Sequence, residues 1–172
     1  GTTIEAEINI SNYIPEMVTV NITSSDSLNR TNGSLSVSWS SYDLDRGDDL
    51  DSEAVANTKW YINNIYHYEF DNLTTLMSGL TTKDESWIVS VRISDGEDWA
   101  AWMNSTGLII ENTILNLSNI TIIPQEVYTN NSLNCSFILT DPDIIDTLIG
   151  HVTWKYENSS GEQSIINNYD TT

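Results

Sequence analysis

Two segments of this sequence match each other in order and spacing, and that internal repeat restricts the fold more than any other feature. Each begins with an alternating apolar stretch, at residues 34–39 in the first segment and 132–137 in the second. An Asp-x-Asp triplet follows, and then a Trp beside a Lys. The offset is 98 residues at the first two landmarks and 94 residues at the pair Trp60 and Trp154. A match of this kind indicates tandem domains of about a hundred residues.

Apolar and polar residues alternate within the copies, which is the pattern of half-buried β-strands. The clearest example is residues 87–93, where Trp, Val, Val and Ile alternate with Ile, Ser and Arg. The dipeptide Asp95-Gly96 indicates a hairpin turn, because Gly adopts positive φ without strain. Leu108 and Ile110 predict the returning strand. Seven short strands with turns between them, and no helical periodicity, predict an all-β sandwich for the complete copy.

The ends of the sequence do not fit two complete copies. The second copy supplies only four strands, and an extra alternating stretch precedes the opening strand of the first copy. The predicted domains are a surplus N-terminal strand in residues 1–15, a complete repeat in 16–113 and an incomplete repeat in 114–172. The apolar positions of the surplus strand are Ile4, Ala6, Ile8 and Ile10.

Two explanations remain open for this arrangement. The chain is either a window of a longer tandem array, whose neighbours complete both ends, or a subunit whose first strand enters the incomplete repeat of the next copy. One donated strand does not replace three, so donation requires the incomplete repeat to be a smaller sandwich. In both cases we expect the partners to be copies of the chain itself or neighbouring repeats.

The net charge of the chain argues against several classes of partner. The sequence has 25 acidic and 6 basic residues, a formal charge of −19. A polyanion repels phosphate backbones and anionic lipid headgroups, so we expect neither nucleic acid nor a membrane surface as a partner. No run of 18 apolar residues occurs either, and we expect no membrane insertion within this sequence.

Asn-x-Ser/Thr triplets are more than twice as frequent as the composition predicts, since random placement gives on the order of four or five. We interpret them as N-glycosylation acceptors of an extracellular or cell-surface protein that carries N-linked glycans. The eleven candidates are Asn9, Asn21, Asn29, Asn32, Asn72, Asn104, Asn116, Asn119, Asn130, Asn134 and Asn158.

Three stretches together resemble the tandem immunoglobulin-like and PKD-like repeats of large archaeal and bacterial cell-surface proteins. They are residues 80–96 (LTTKDESWIVSVRISDG), the Asn112-Thr113 junction and residues 128–135 (YTNNSLNC). The resemblance implies two tandem immunoglobulin-like sandwiches, the second incomplete. It also implies a Cys pair between the second and sixth strands. Because Cys135 is the only cysteine, that disulfide cannot be carried over.

Two acidic loops are candidate calcium sites, because a hard cation relieves the repulsion between crowded carboxylates. The candidate ligands are Asp43, Asp45, Asp48, Asp49, Asp51, Asp141 and Asp143. The second loop continues to Asp146, and tandem packing predicts that Asp141 and Asp143 lie near the linker residues Glu111 and Asn112. The alternative is a solvated acidic loop without an ion.

The sequence gives no support for catalysis. The two histidines, His67 and His151, stand beside strand residues with no acidic or nucleophilic motif around them, whereas a nucleophile needs a base and an orienting group. We expect a non-enzymatic structural or adhesive protein, such as a surface filament subunit or part of a surface-layer or adhesin array. The alternative is a carbohydrate- or protein-binding module of a larger secreted protein. Exposure of Trp99 and Trp102 on a flat face would favour that alternative.

Overall fold

The computed structural model of the chain describes Ile8, residues 11–44, 55–157 and 159–161, and the backbone of residues 163–171. Those parts contain twelve antiparallel β-strands and one 3-10 turn, Tyr68–Phe70, but no α-helix. The prediction of an all-β chain is therefore confirmed. None of the described residues belongs to a helix with the length and hydropathy needed to cross a bilayer. The chain divides into two compact units, Gly1–Asn112 (unit 1) and Thr113–Thr172 (unit 2).

Unit 1 contains two antiparallel sheets. Their strands are β1 (Glu16–Ser24), β2 (Leu35–Tyr42), β3 (Val55–Ile62), β4 (Ile65–His67), β5 (Thr75–Leu76), β6 (Ser86–Ser94), β7 (Met103–Asn104) and β8 (Leu108–Ile109). One sheet has the strand order β1-β2-β5, and the other has the order β4-β3-β6, with β7 and β8 both paired to β6.

The core of unit 1 combines side chains from both sheets. Leu35 of β2, Trp60 of β3 and Trp87 of β6 are completely buried, and the two indoles meet edge to face with their centroids 6.1 Å apart. Each buried side chain of this size contributes about 1.5–3 kcal/mol of transfer free energy. Both indole N–H groups are satisfied, since Trp60 donates to the carbonyl of Leu73 and Trp87 donates to the carboxylate of Glu85.

Strand β6 is followed by a turn and by two short strands that pair with it. Gly96 has a φ of 101° and Asp95 caps the turn, as Asp95-Gly96 predicts. The predicted returning strand corresponds to β8, and β7 is a further short strand that the sequence did not predict. The two strands are separated at Ser105, whose Oγ accepts the bond from the Val89 N–H at 3.1 Å while its own N–H donates to the Val89 carbonyl. A side chain thus replaces one backbone partner and interrupts the ladder.

Unit 2 consists of two separate hairpin sheets. Their strands are β9 (Asn116–Ile123) with β10 (Asn134–Thr140), and β11 (Gly150–Glu157) with β12 (Gln163–Thr171). A bulge in the first sheet lets Phe137 face two residues of β9, and Asn119 takes a φ of 52° there. The bulge reverses the alternation of β9, so that Leu117 and Ile120 point to the same side.

Candidate functional site

An open apolar cleft of about 380 Å³ separates the two hairpins of unit 2. Strands β9 and β10 supply one wall, and β11 with the segment before it supplies the other. The lining residues are Leu115, Leu117, Ile120, Ile122, Cys135, Phe137, Leu139, Ile149, Gly150, His151, Val152, Thr153 and Trp154.

The apolar side chains of this cleft are unusually accessible for an interior. Among the described side chains, every fully buried hydrophobic one belongs to unit 1. In unit 2, Ile120 is 62% exposed, and Phe137 and Trp154 are only half-buried. Apolar surface gathered in one concave site is typical of an interface that another chain covers.

Among the four apolar positions of the predicted assembly strand, the structure describes only Ile8. Its side chain is 86% exposed, so it does not pack into the sandwich of its own unit. The other three positions, Ile4, Ala6 and Ile10, lie outside the described residues. The exposed side chain of Ile8 is therefore available for a contact with another molecule.

The base of this N-terminal segment is anchored to unit 1. The Asn12 side-chain amide donates to Asp95 Oδ2 at 2.9 Å and to Asp98 Oδ2 at 3.2 Å, and Pro15 is completely buried. The bond from Asn12, followed by the one from the Asp98 backbone N–H, lowers the pKa of Asp95 below its ordinary value. Asn12 is therefore held beside the β6–β7 turn of unit 1.

The acidic loop of unit 2 brings three carboxylates together. One oxygen from each of Asp141, Asp143 and Asp146 lies within 4.8 Å of the others. Asp143 is only 3% exposed; its Oδ2 accepts a 2.6 Å bond from the Thr113 N–H, and its own N–H donates to Asp141 Oδ1 at 2.9 Å. Asp146 was not among the candidate ligands, although its spacing in the loop could have suggested it. Carboxylates in this arrangement offer oxygen ligands suited to calcium.

The other acidic loop is described only at its start. Asp43 is buried, and it is not part of the carboxylate cluster in unit 2. The remaining candidate ligands of that loop, Asp45, Asp48, Asp49 and Asp51, lie outside the described residues. The structure therefore brings together Asp141 and Asp143, but not Asp43, among the candidate ligands that it describes.

Nine of the eleven candidate glycosylation sites are described, and all of them are accessible. Asn29 is half-buried. The other eight are exposed: Asn21, Asn32, Asn72, Asn104, Asn116, Asn119, Asn130 and Asn134. Asn9 and Asn158 lie outside the described residues.

A ladder of alternating cations and aromatic rings covers the outer face of the β3–β6 sheet. The Arg92 guanidinium carbon lies 4.3 Å from the Trp99 centroid and 4.7 Å from the Trp102 centroid. Lys59 Nζ follows at 4.5 Å from Trp102 and 5.5 Å from the Tyr66 ring. Trp99 is 40% exposed and Trp102 is half-buried. Both indoles therefore lie against the outer face of the sheet, with part of each ring in solvent. The sequence analysis did not predict this ladder. The one sequence feature that pointed to it is that Lys59 and Arg92 occupy outward-facing positions in the alternation of their strands.

The expectation that no acidic group accompanies His67 is wrong. His67 Nδ1 lies 2.7 Å from Glu69 Oε1, and this contact lowers the pKa of Glu69. The His67 ring also stacks on Phe70 with centroids 6.0 Å apart. These contacts brace the 3-10 turn that follows β4.

No protein-family model matches this chain, and a search of curated proteins finds no match to it. The functional assignment therefore rests on the geometry of the two units.

Proposed function

We propose that this chain is a non-enzymatic, extracellular structural or adhesive protein whose second unit is completed by a β-strand from another molecule. Both units are immunoglobulin-like sandwiches in this account. Unit 1 is completed by strands of its own chain, whereas unit 2 accepts a strand from another molecule. The observation that carries the proposal is the open apolar cleft of unit 2, in a chain whose fully buried hydrophobic side chains, within the described part, all belong to unit 1.

The acceptor role follows from the physics of sheets. A two-stranded hairpin is marginally stable alone, and its unpaired edges present free N–H and C=O groups that template pairing. An added strand supplies the missing backbone bonds, and its alternate side chains enter the apolar cleft. Polar side chains on the same strand then remain in solvent, which matches a strand of strict period two.

The N-terminal stretch of a second copy fits that description. Its four apolar positions are followed by the segment anchored at Asn12, and Ile8 is not used by its own unit 1. Placing those four side chains in the cleft buries roughly 300–400 Å² of apolar surface, a gross gain of about 8–10 kcal/mol before ordering costs. A slip of one residue turns Glu5 and Glu7 inward, so the register is specified.

A glycosylated surface filament, or part of a surface-layer or adhesin array, is the setting that this proposal favours. The exposed Asn-x-Ser/Thr sites provide attachment points for N-linked glycans. The acidic loop supports a structural calcium ion held by Asp141, Asp143 and Asp146, which lie within 4.8 Å of one another. The ion neutralises crowded carboxylates beside the first residue of unit 2 and stiffens that loop.

Sedimentation and electron microscopy of a truncated chain test the proposal. Deleting residues 1–11 keeps the Asn12 anchor and removes the donor strand, so we expect the intact chain to form fibres and the truncated chain to stay monomeric. A synthetic peptide of residues 1–12 should bind the truncated chain at one to one without polymerising it. The variant Asn9→Asp is the matched control. It adds a charge on the outward, solvent-facing side of the strand, so this variant should still form fibres.

Two results separate the possible donors. If the truncated chain forms the same fibres as the intact chain, the N-terminal strand is not the donor and the proposal is wrong in that respect. If the intact chain stays monomeric but the peptide still binds unit 2, the cleft accepts a strand, and the natural donor is a neighbouring repeat of a longer polypeptide.

A further inference from the structure

Unit 1 has a second, polar cleft on the outer face of the β3–β6 sheet. Its volume is about 230 Å³, below the 300–1,000 Å³ typical of sites for drug-sized ligands, so it accommodates one ring-sized group. The residues that form it are Asn57, Thr58, Lys59, Asp71, Asn72, Arg92 and Trp102. Asn72 is the one candidate glycosylation site among them.

A chain of hydrogen bonds fixes the orientation of the Asn72 amide. A guanidinium only donates, so Arg92 Nη2, at 3.4 Å, requires the oxygen of Asn57 to face it. The Asn57 amide nitrogen then points the other way and donates to Asn72 Oδ1 at 3.1 Å. Asn72 therefore turns its oxygen toward Asn57, and its Nδ2 has no partner among the described residues. Nδ2 is the atom to which an N-linked sugar is attached.

The backbone around Asn72 holds this geometry in place. The Asn72 N–H donates to the Thr58 carbonyl of β3 at 3.1 Å, and its φ of 61° is one that Asn tolerates better than most residues. The Tyr66 hydroxyl donates to Asp71 Oδ2 at 2.5 Å, which fixes the neighbouring carboxylate and raises the pKa of Tyr66 to about 12.

The cleft walls match the two kinds of surface on a sugar ring. Trp102, held in place by Lys59 and Arg92, lines the cleft and contributes apolar indole surface for the C–H side of a pyranose. Lys59 offers hydrogen-bond donors and Asp71 offers acceptors to hydroxyl groups. Buried Asp71 Oδ1 and Arg92 Nε have no hydrogen-bond partner among the described residues, so the floor of the cleft has unused polar capacity.

From this geometry we infer that Asn72 carries an N-linked glycan whose first sugar ring packs in the cleft beside Trp102. The inference rests on the proposed glycosylation of the chain. It goes further because it gives one glycan a packing contact with the protein, which sugars on exposed turns lack. The glycan then shields the row of cations and aromatic rings from solvent and stabilises unit 1.

The test changes the sequon without changing Asn72. Thr74→Val removes the acceptor motif, whereas Thr74→Ser keeps it, and residue 74 is exposed. Both variants are produced in a glycosylating host and in a host without N-glycosylation, with site occupancy measured by peptide mass spectrometry. We expect the thermal midpoint of unit 1 in Thr74→Val to be about 4 °C below that in Thr74→Ser in the first host, for about 1 kcal/mol of stabilisation, and equal to it in the second.

Two further variants assign the effect to the cleft. In a Trp102→Leu background the difference between the two Thr74 variants should disappear. Ser132→Ala, which removes the sequon at the exposed Asn130, should not change the midpoint in either host. A difference that persists without Trp102, or equal midpoints for the Thr74 pair, overturns the packing. An unoccupied Asn72 also overturns this inference, but sugar found at the other sites would leave the proposed glycosylation standing.

Discussion

Arg92 and Trp102 lie 4.7 Å apart, measured from the guanidinium carbon to the indole centroid. Because Arg92 also lies over Trp99, one cation joins two aromatic side chains from the segment after the β6–β7 turn. We expect Arg92→Met, which keeps the stem but loses the charge and the planar stack, to lower the unfolding free energy by about 1–2 kcal/mol. Urea denaturation measures the change.

Arg92→Lys is the matched control for this ladder. It keeps the cation, so its loss should be smaller than that of Arg92→Met. Equal stabilities for Arg92→Met and the unmodified chain would show that the ladder contributes nothing.

The anchor between Asn12 and Asp95 predicts a measurable change in the titration of Asp95. The Asn12 bond is the largest cause of the lowered pKa, so Asn12→Ala should raise it toward the ordinary value of about 3.9. A lowered pKa stabilises the fold above the unfolded-state value, and that contribution is lost as pH falls through the folded-state value. Carboxyl carbon NMR follows the titration. Asp26, held at a pKa of about 2 by Arg30, should not move, and an unmoved Asp95 would contradict the anchor.

Calcium binding by the Asp141–Asp143–Asp146 cluster predicts a cation-dependent melting temperature. An ion present at a hundred times its dissociation constant stabilises the folded state by about 2.7 kcal/mol, so chelation should lower the midpoint of unit 2 in differential scanning calorimetry. Asp141→Asn should reduce that response, whereas Asn130→Gln, in an exposed turn, should leave it intact. Superimposable melting curves with calcium and with chelator would exclude the ion.

The excess of Asn-x-Ser/Thr sites predicts that native protein is glycosylated at three or more positions. Intact mass before and after enzymatic removal of N-linked glycans measures this directly. The described sites are accessible, so the folded surface has room for the sugars. A native mass equal to that of the bare polypeptide would refute the prediction.

The period-two pattern predicted the strands of unit 1 well, because one face of each sheet is buried against the other. Trp87 and Val89 on β6 both lie in the core, as their alternation requires. The break at Ser105 was not predictable, since a side-chain hydroxyl in place of a backbone partner leaves no periodic signal. Likewise, the bulge at Asn119 reverses the parity of β9 through a local φ of 52° that the alternation does not encode.

The candidate sites were predictable to different degrees. Asp141 and Asp143 were identified because crowded carboxylates in a short loop remain close in any fold, but the inclusion of Asp146 depended on the turn. The contact of Lys59 with Trp102 was missed because the two residues are distant in sequence and meet only through the sheet. The sequence predicted that the second repeat has only four strands, but the place of the apolar cleft between its two hairpins is known only from the structure.

Disulfide trapping between Cys135 and a cysteine placed in the N-terminal strand tests strand donation most directly. Cys135 lines the acceptor cleft and is the only cysteine of the chain. The variants Ile4→Cys, Ala6→Cys, Ile8→Cys and Ile10→Cys place a thiol on the apolar side of the strand. The variants Glu5→Cys, Glu7→Cys and Asn9→Cys place it on the polar side.

A disulfide forms only where the two Cα atoms lie about 4.4–6.8 Å apart, so the register selects the positions that react. We expect intermolecular cross-links to Cys135 on mild oxidation at one or two apolar-side positions and at none of the polar-side positions. Non-reducing electrophoresis and mass spectrometry of the linked peptides identify them. Cross-linking that is equal on both sides of the strand, or absent at all seven positions in assembled protein, would contradict insertion of this strand into the cleft of unit 2.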